Sequence, residues 1–158
     1  MVETRETKFN VNKDISKRTY NGITFDSVLE MKYYRDYVCP LEESGEIVSC
    51  EMQIPYVLQQ NFKHDNKTVK AITYVADFVL KYSDGHTEVI DVKGCPDTTA
   101  LLKRKLFWFR YPDITYRWIS YSGIDGGWID YDDLKRARNE RKKEKSKGRN
   151  VTNEENFN

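Results

Sequence analysis

The chain has 158 residues, enough for one hydrophobic core and too few for two ordinary domains. Apolar residues make up 39% and aromatic residues 13%, which excludes a disordered chain, and no apolar run approaches the length of a membrane span. The net charge of +1 hides an asymmetry: residues 135–149 hold nine Lys or Arg and two Glu, a local +7, while the rest of the chain carries 17 basic and 23 acidic groups, or −6.

Residues 1–18 are polar and aperiodic and read as a flexible arm without a signal-peptide core, so a cytoplasmic protein is expected. Tyr20-Asn21-Gly22-Ile23 predicts a tight turn closed by Asn-Gly. Ser27 stands three residues before Glu30, the pattern of a capping box, and Val28, Leu29, Tyr33, Tyr34, Tyr37 and Leu41 recur near helical spacing, predicting a helix over 27–41. Two short β-type runs follow, 47–51 and 55–60, separated by Gln53-Ile54-Pro55, and then a polar loop over 63–67. Longer strands are expected over 69–82 and 86–92, joined by Ser83-Asp84-Gly85. Asp97 or Thr98 can cap a helix running through Leu101, Leu102, Leu106 and Phe109 and stopped before Pro112. A strand over 114–121 and a charged helix from Asp130 to about 147 complete the chain. This order gives an α/β domain with a mixed β-sheet flanked by helices, divided as an arm at 1–18, a folded domain at 19–128 and a basic helical tail at 129–158.

The stretch from Tyr74 to Gly94 carries the chemistry. With a three-residue loop and Gly85 left-handed, Tyr82 pairs with His86, Leu80 with Glu88 and Phe78 with Ile90. That register puts Phe78, Ile90, Ala76 and Val92 on one apolar face and sets Asp77 opposite Asp91 on the other, flanked by Val75, Val79 and Val89. Lys93, two residues beyond Asp91, points the same way. A two-residue turn at Asp84-Gly85 would instead pair Asp77 with Val92 and break both faces. Like charges facing each other across a strand pair are destabilising, so two such carboxylates call for a counter-charge. Lys93 supplies part of it and a divalent cation would supply the rest. A buried Asp–Lys ion pair without catalytic duty accounts for one carboxylate and leaves the second. The three cysteines, Cys39, Cys50 and Cys95, match no zinc spacing and read as reduced thiols, so any metal would be held mainly by carboxylates.

Ala76-Asp77 followed by Asp91-Val92-Lys93-Gly94 resembles the PD-(D/E)XK nuclease superfamily. Tyr20-x-Gly22-x-x-Phe25-x-Ser27-x-x-Glu30 and Gln53-x-Pro55 look like small phage and prophage nucleases, similar to Holliday-junction resolvases. The likeness spans roughly residues 20–120; Ala76 replaces the proline of the superfamily's name. It implies a restriction-endonuclease-like fold with an αβββαβ core. It also implies Mg²⁺ or Mn²⁺ held by Asp77, Asp91, the Val92 carbonyl and Glu30, with Lys93 acting on the attacking water and the phosphate. Glu30 is equally explained as the partner of Ser27 in the capping box. Gln53, Lys103, Arg104 and Lys105 are candidates for contact with the site or with DNA, whereas Tyr116, Trp118, Trp108 and Phe109 are expected to pack the core.

The expected function is metal-dependent endonucleolytic hydrolysis of branched or structured phage DNA. A junction resolvase would work as a homodimer, since two strands are cut, and phage recombination or replication proteins are its expected partners. Two other readings are a partner-dependent, end-cleaving nuclease of a recombination or transposition complex and a non-catalytic DNA-binding protein on the same fold. The basic tail suits a polyanion, because Lys and Arg gain by releasing counterions from phosphates; a solvated charged helix explains the same residues.

Overall fold

The computed structural model describes the backbone of residues 13–154 and the side chains of residues 13–148. Residues 1–12 of the expected arm lie outside the described residues, and its last part is ordered: Ile15–Arg18 forms a 3₁₀ turn whose N-cap, Asp14, accepts from the Ser16 amide. Strands β1 (Thr19–Tyr20) and β2 (Ile23–Thr24) form the expected hairpin, with Asn21 and Gly22 both at positive φ, as the two-residue turn requires.

The first helix is interrupted. It consists of α1 (Val28–Tyr33), a π-helical turn over Tyr34–Val38 and α2 (Cys39–Glu43). Pro40 has no N–H to donate, and the Cys39 amide just before it bonds the Tyr34 carbonyl five residues back. The wider turn lets the helix accommodate a proline that would otherwise break the four-residue ladder. At the other end Ser27 is the N-cap, as its spacing to Glu30 predicts.

The two short runs expected over 47–60 are one long strand, β3 (Ile47–Gln59), with Gln53 held in the left-handed region at φ 55°. Residues 63–67, expected as a loop, lie in a small exposed hairpin of β4 (Phe62–His64) and β5 (Lys67–Val69), turned by Asp65 and Asn66 at positive φ. Then come β6 (Ile72–Tyr82), β7 (Thr87–Val92), α3 (Thr98–Arg110), β8 (Thr115–Ser122), β9 (Gly127–Asp130) and α4 (Tyr131–Glu154). The main sheet is mixed, with strand order β3-β6-β7-β8-β9 and helices flanking it, an α/β fold. Strand β9 has no counterpart in the sequence-based expectation. Among the described residues no helix is long and apolar enough to cross a membrane.

The chain divides into two compact units between Trp118 and Ile119, within β8. In the first unit, β6 is the central element, paired with β3 on one side and β7 on the other. Phe78 packs against Phe25, Tyr33 and Tyr34 of the N-terminal layer. A second cluster gathers Leu58, Tyr74, Ala76, Val79 and Val89 around Phe107 of α3.

These two clusters correct the expectation of strict alternation. Ala76 was expected on the face of Phe78, yet it shares a cluster with Val79 and Val89; Val75, expected beside Asp77, is 45% exposed. The alternation slips at Asp77. Regular pairs Met52↔Phe78 and Ile54↔Ala76 bracket Asp77 and left-handed Gln53, which face each other between them. A local departure from extended geometry re-aims the side chains that follow it.

In the second unit, Ile119↔Asp130, Ser120↔Ile129, Tyr121↔Trp128 and Ser122↔Gly127 pair the end of β8 with β9. Asp125 accepts from Ser122 Oγ at 2.6 Å and from both terminal nitrogens of Arg141 at 2.5 and 3.0 Å, tying the β8–β9 connection to α4.

Candidate active site

The predicted hairpin is the one observed. Tyr82 N donates to the His86 carbonyl, Gly85 stands at φ 94°, and the register runs Leu80↔Glu88 and Phe78↔Ile90. One step beyond the last pair, Asp77 and Asp91 stand at facing positions. There the Val92 amide donates to Asp77 Oδ2 at 2.8 Å, so a side-chain oxygen continues the connection between the strands. Both carboxylates are buried, Asp77 at 5% and Asp91 at 1% exposure. Burying an anion is costly unless a counter-charge or hydrogen bonds compensate it.

The counter-charge is Lys93, whose Nζ contacts Asp91 Oδ2 in an ion pair that is itself largely shielded. Lys93 Nζ also lies 5.1 Å from the centroid of the Trp118 ring, a cation–π distance. Asp91 and Lys93 together form one wall of a cavity of about 320 Å³, completed by Tyr74, Tyr116 and Trp118 and by the first turns of α3. Lys103 reaches this cavity and donates to the Thr73 carbonyl at 2.8 Å. Trp118 Nε1 donates to Tyr116 Oη at 2.6 Å.

Two tyrosines report the field of the site. Burial pushes the Tyr74 and Tyr116 hydroxyls well above the ordinary phenol value, and in each the negative charge of Asp91 is the next cause, with Asp77 adding a smaller push. Asp77, unlike Asp91, does not itself line the cavity.

A family described as "Protein of unknown function (DUF1064)" matches residues 7–124, more than half of the chain. The chain belongs to the DUF1064 family. The match runs through every strand and helix that supplies the site and ends in the β8–β9 connection. No curated protein matches the chain.

Within this DUF1064 chain the remaining candidates fall in different places. Glu30 is buried at 1% exposure on α1, where Ser27 Oγ donates to its Oε1 at 3.0 Å and its own amide donates to Ser27 Oγ at 3.1 Å. This is a capping interaction, and Glu30 does not line the cavity. Gln53 is exposed and does not line it either; its left-handed backbone, opposite Asp77, is its structural mark. Lys105 is exposed on the outer side of α3. Arg104 lies between two tryptophans, its guanidinium carbon 4.6 Å from the Trp108 centroid and 4.2 Å from that of Trp118.

The aromatic expectation is partly corrected. Tyr116 and buried Trp118 pack inward as expected, but Trp108 is 45% and Phe109 87% exposed. Phe107 takes the buried position of α3, and a residue two further along a helix is turned by about 200° away from it. The expected apolar stripe through Leu102 and Phe109 is therefore the outer face. Tyr74 was missed altogether as a site residue; its position on the strand that carries Asp77 was the available signal.

Among the described residues no three His, Cys, Asp or Glu side chains are gathered as a metal-binding group. The donor chemistry nonetheless fits a hard divalent cation in part: Asp77 and Asp91 are shielded anionic oxygen donors at facing strand positions. Lys93 on Asp91 Oδ2 shows where a positive charge is accommodated.

Proposed function

We propose that this DUF1064 chain is a metal-dependent DNA endonuclease of the PD-(D/E)XK type. The observation that carries this reading is the Asp91–Lys93 ion pair on a cavity wall, with a second buried carboxylate, Asp77, facing Asp91 from the neighbouring strand. Stability alone gives a sheet little reason to hold that combination, and a cavity with a few convergent polar groups on its wall is the usual form of a ligand site.

Asp77 and Asp91 would hold Mg²⁺ or Mn²⁺, with the Val92 carbonyl as a further donor. When bound, such an ion lowers the pKa of a coordinated water and neutralises charge on phosphate oxygens. The chain's own residues do the rest. Lys93, aimed by Asp91 and backed by the Trp118 ring, offers positive charge to the phosphate oxygens as negative charge grows on them. The Val92 amide fixes the Asp77 carboxylate, so this donor keeps its orientation without reorganisation during the reaction. Lys103 adds a second amine at the cavity, suited to a flanking phosphate.

The substrate class most consistent with this reading is branched or structured DNA, cut by a homodimer with one site per strand. The test is Mg²⁺- or Mn²⁺-dependent cleavage of labelled four-way junction, flap, duplex and single-stranded DNA. Activity abolished by chelator and by Asp91→Ala supports the nuclease. Binding of DNA without cleavage of any substrate would replace it by a DNA-binding protein, or by a nuclease that needs a partner.

A further inference from the structure

We propose that the cavity beside Asp91 and Lys93 receives one unpaired nucleotide of the DNA strand being cut. This rests on the nuclease reading and extends it by naming the form of the substrate at the site.

The first observation is size and lining. At about 320 Å³ the cavity lies at the small end of ligand sites and suits a single nucleoside, whereas a stacked base pair would have to be broken to enter. Its walls combine aromatic rings, Tyr74, Tyr116 and Trp118, with two amines, Lys93 and Lys103. Aromatic faces accept any base by stacking, and amines attract the phosphates on either side of it.

The second observation is a buried polar atom in want of a ligand. Tyr74 is 7% exposed and lines the cavity, and its hydroxyl makes no well-formed hydrogen bond among the described residues. The Tyr116 hydroxyl is beside it and makes a hydrogen-bonding interaction that falls short of strict geometry. A buried hydroxyl that is poorly bonded costs stability, and a base or sugar edge would supply a well-formed bond.

The third observation extends the path outward. Trp118 of β8 lines the cavity and meets Arg104 of α3, which in turn meets the half-exposed Trp108 one helical turn on, so ring and cation alternate. Such a ladder fits an unstacked strand leaving the cavity and offers little to an intact duplex.

The experiment measures binding rather than cleavage, in chelator, by fluorescence anisotropy of the full chain. The probes are a short single strand, the same strand with one abasic position moved stepwise along it, and a blunt duplex. Ala100→Leu fills the cavity from the first turn of α3, and Thr99→Trp plugs its rim from an exposed position, with thermal melts to verify folding. The proposal expects one abasic position to weaken binding by about tenfold. It expects both variants to lower single-strand affinity by a similar factor, to leave duplex affinity unchanged and to erase the abasic penalty. A folded variant that binds the unmodified single strand as tightly as wild type and keeps the abasic penalty, with metal-dependent cleavage retained, would overturn the cavity assignment while leaving the nuclease standing. Failure to bind any of the three DNAs would overturn the nuclease reading and the cavity assignment together.

Discussion

At the scale of single residues, the site is a problem in charge. Asp91 is 1% exposed and its Oδ2 contacts Lys93, so the ammonium offsets an anion that is largely shielded from water. Breaking a shielded pair from one side costs more than the pair contributes, because the remaining charge stays where it was. Lys93→Ala should therefore lower unfolding free energy by about 3 kcal/mol in urea melts and also abolish cleavage. Asp91→Asn together with Lys93→Met should recover much of that stability without recovering activity. A double mutant as unstable as Lys93→Ala alone would show that the loss is one of packing. The residue pattern D-x-K was legible in the sequence, as was its facing carboxylate, because period-two geometry and a glycine-closed loop leave few registers. Tyr74 was not legible as a site residue, because a tyrosine in a strand looks the same whether its hydroxyl meets water, a partner or a cavity.

At the scale of elements, helix α1 presents two readings of one carboxylate that can be separated. Ser27 and Glu30 hold each other at the N-terminus, a cap whose loss costs about 1 kcal/mol. Ser27→Ala should lower stability by about that amount and leave cleavage almost intact. Glu30→Gln keeps a side chain able to close the capping box but removes the negative charge. If Glu30 serves the metal, this variant melts close to wild type and loses cleavage; unchanged cleavage would leave it as a capping residue only. The same scale shows why the helix was read as continuous. Hydrophobic periodicity senses which residues face inward, and the π-helical turn before Pro40 leaves Tyr33, Tyr34 and Val38 near the core. The β3 runs were read as two for the converse reason: Gln53 interrupts the pattern, but the paired strand β6 carries the ladder past it.

The connection between β8 and β9 gives a pH prediction. Arg141, and after it Ser122, hold the Asp125 carboxyl down at about 2. A carboxyl depressed in the folded state contributes stability above its unfolded pKa, and loses it as pH falls through the folded value. The window therefore lies between about 4 and about 2. Arg141→Ala should move the Asp125 titration up toward the ordinary carboxylate range in carboxyl-resolved NMR; an unmoved titration would assign the shift to the Ser122 bond.

At the scale of the whole molecule, charge is concentrated where the sequence put it. Residues 135–149 lie on α4, whose N-terminal part is anchored by Leu134, 1% exposed, and by Arg141. Truncation after Arg141 keeps both anchors and removes five Lys or Arg between 142 and 149. If these residues meet phosphate, the truncated chain should bind DNA more weakly and with a shallower dependence on salt, since each lost contact releases one counterion fewer. Identical slopes for the two chains would leave α4 as a solvated helix. The α/β class and nearly every strand of the sheet were open to pattern reading, whereas β9 was not: Gly127-Trp128-Ile129-Asp130 is too short to show a period.

The left-handed residue in β3 has a consequence beyond the site. Val75 and Val79 have the same parity along β6, yet one is 45% exposed and the other 5%. Tyr74 and Phe78 share the other parity and belong to different cores. The sheet thus behaves like a crystal with a phase boundary drawn across it at Gln53 and Asp77, each half ordered, the halves half a period out of step. A residue inserted or deleted on either side would move that boundary away from the carboxylate that sits on it, so the distance in sequence from Gln53 to Asp77 is as much a part of the site as the residues themselves.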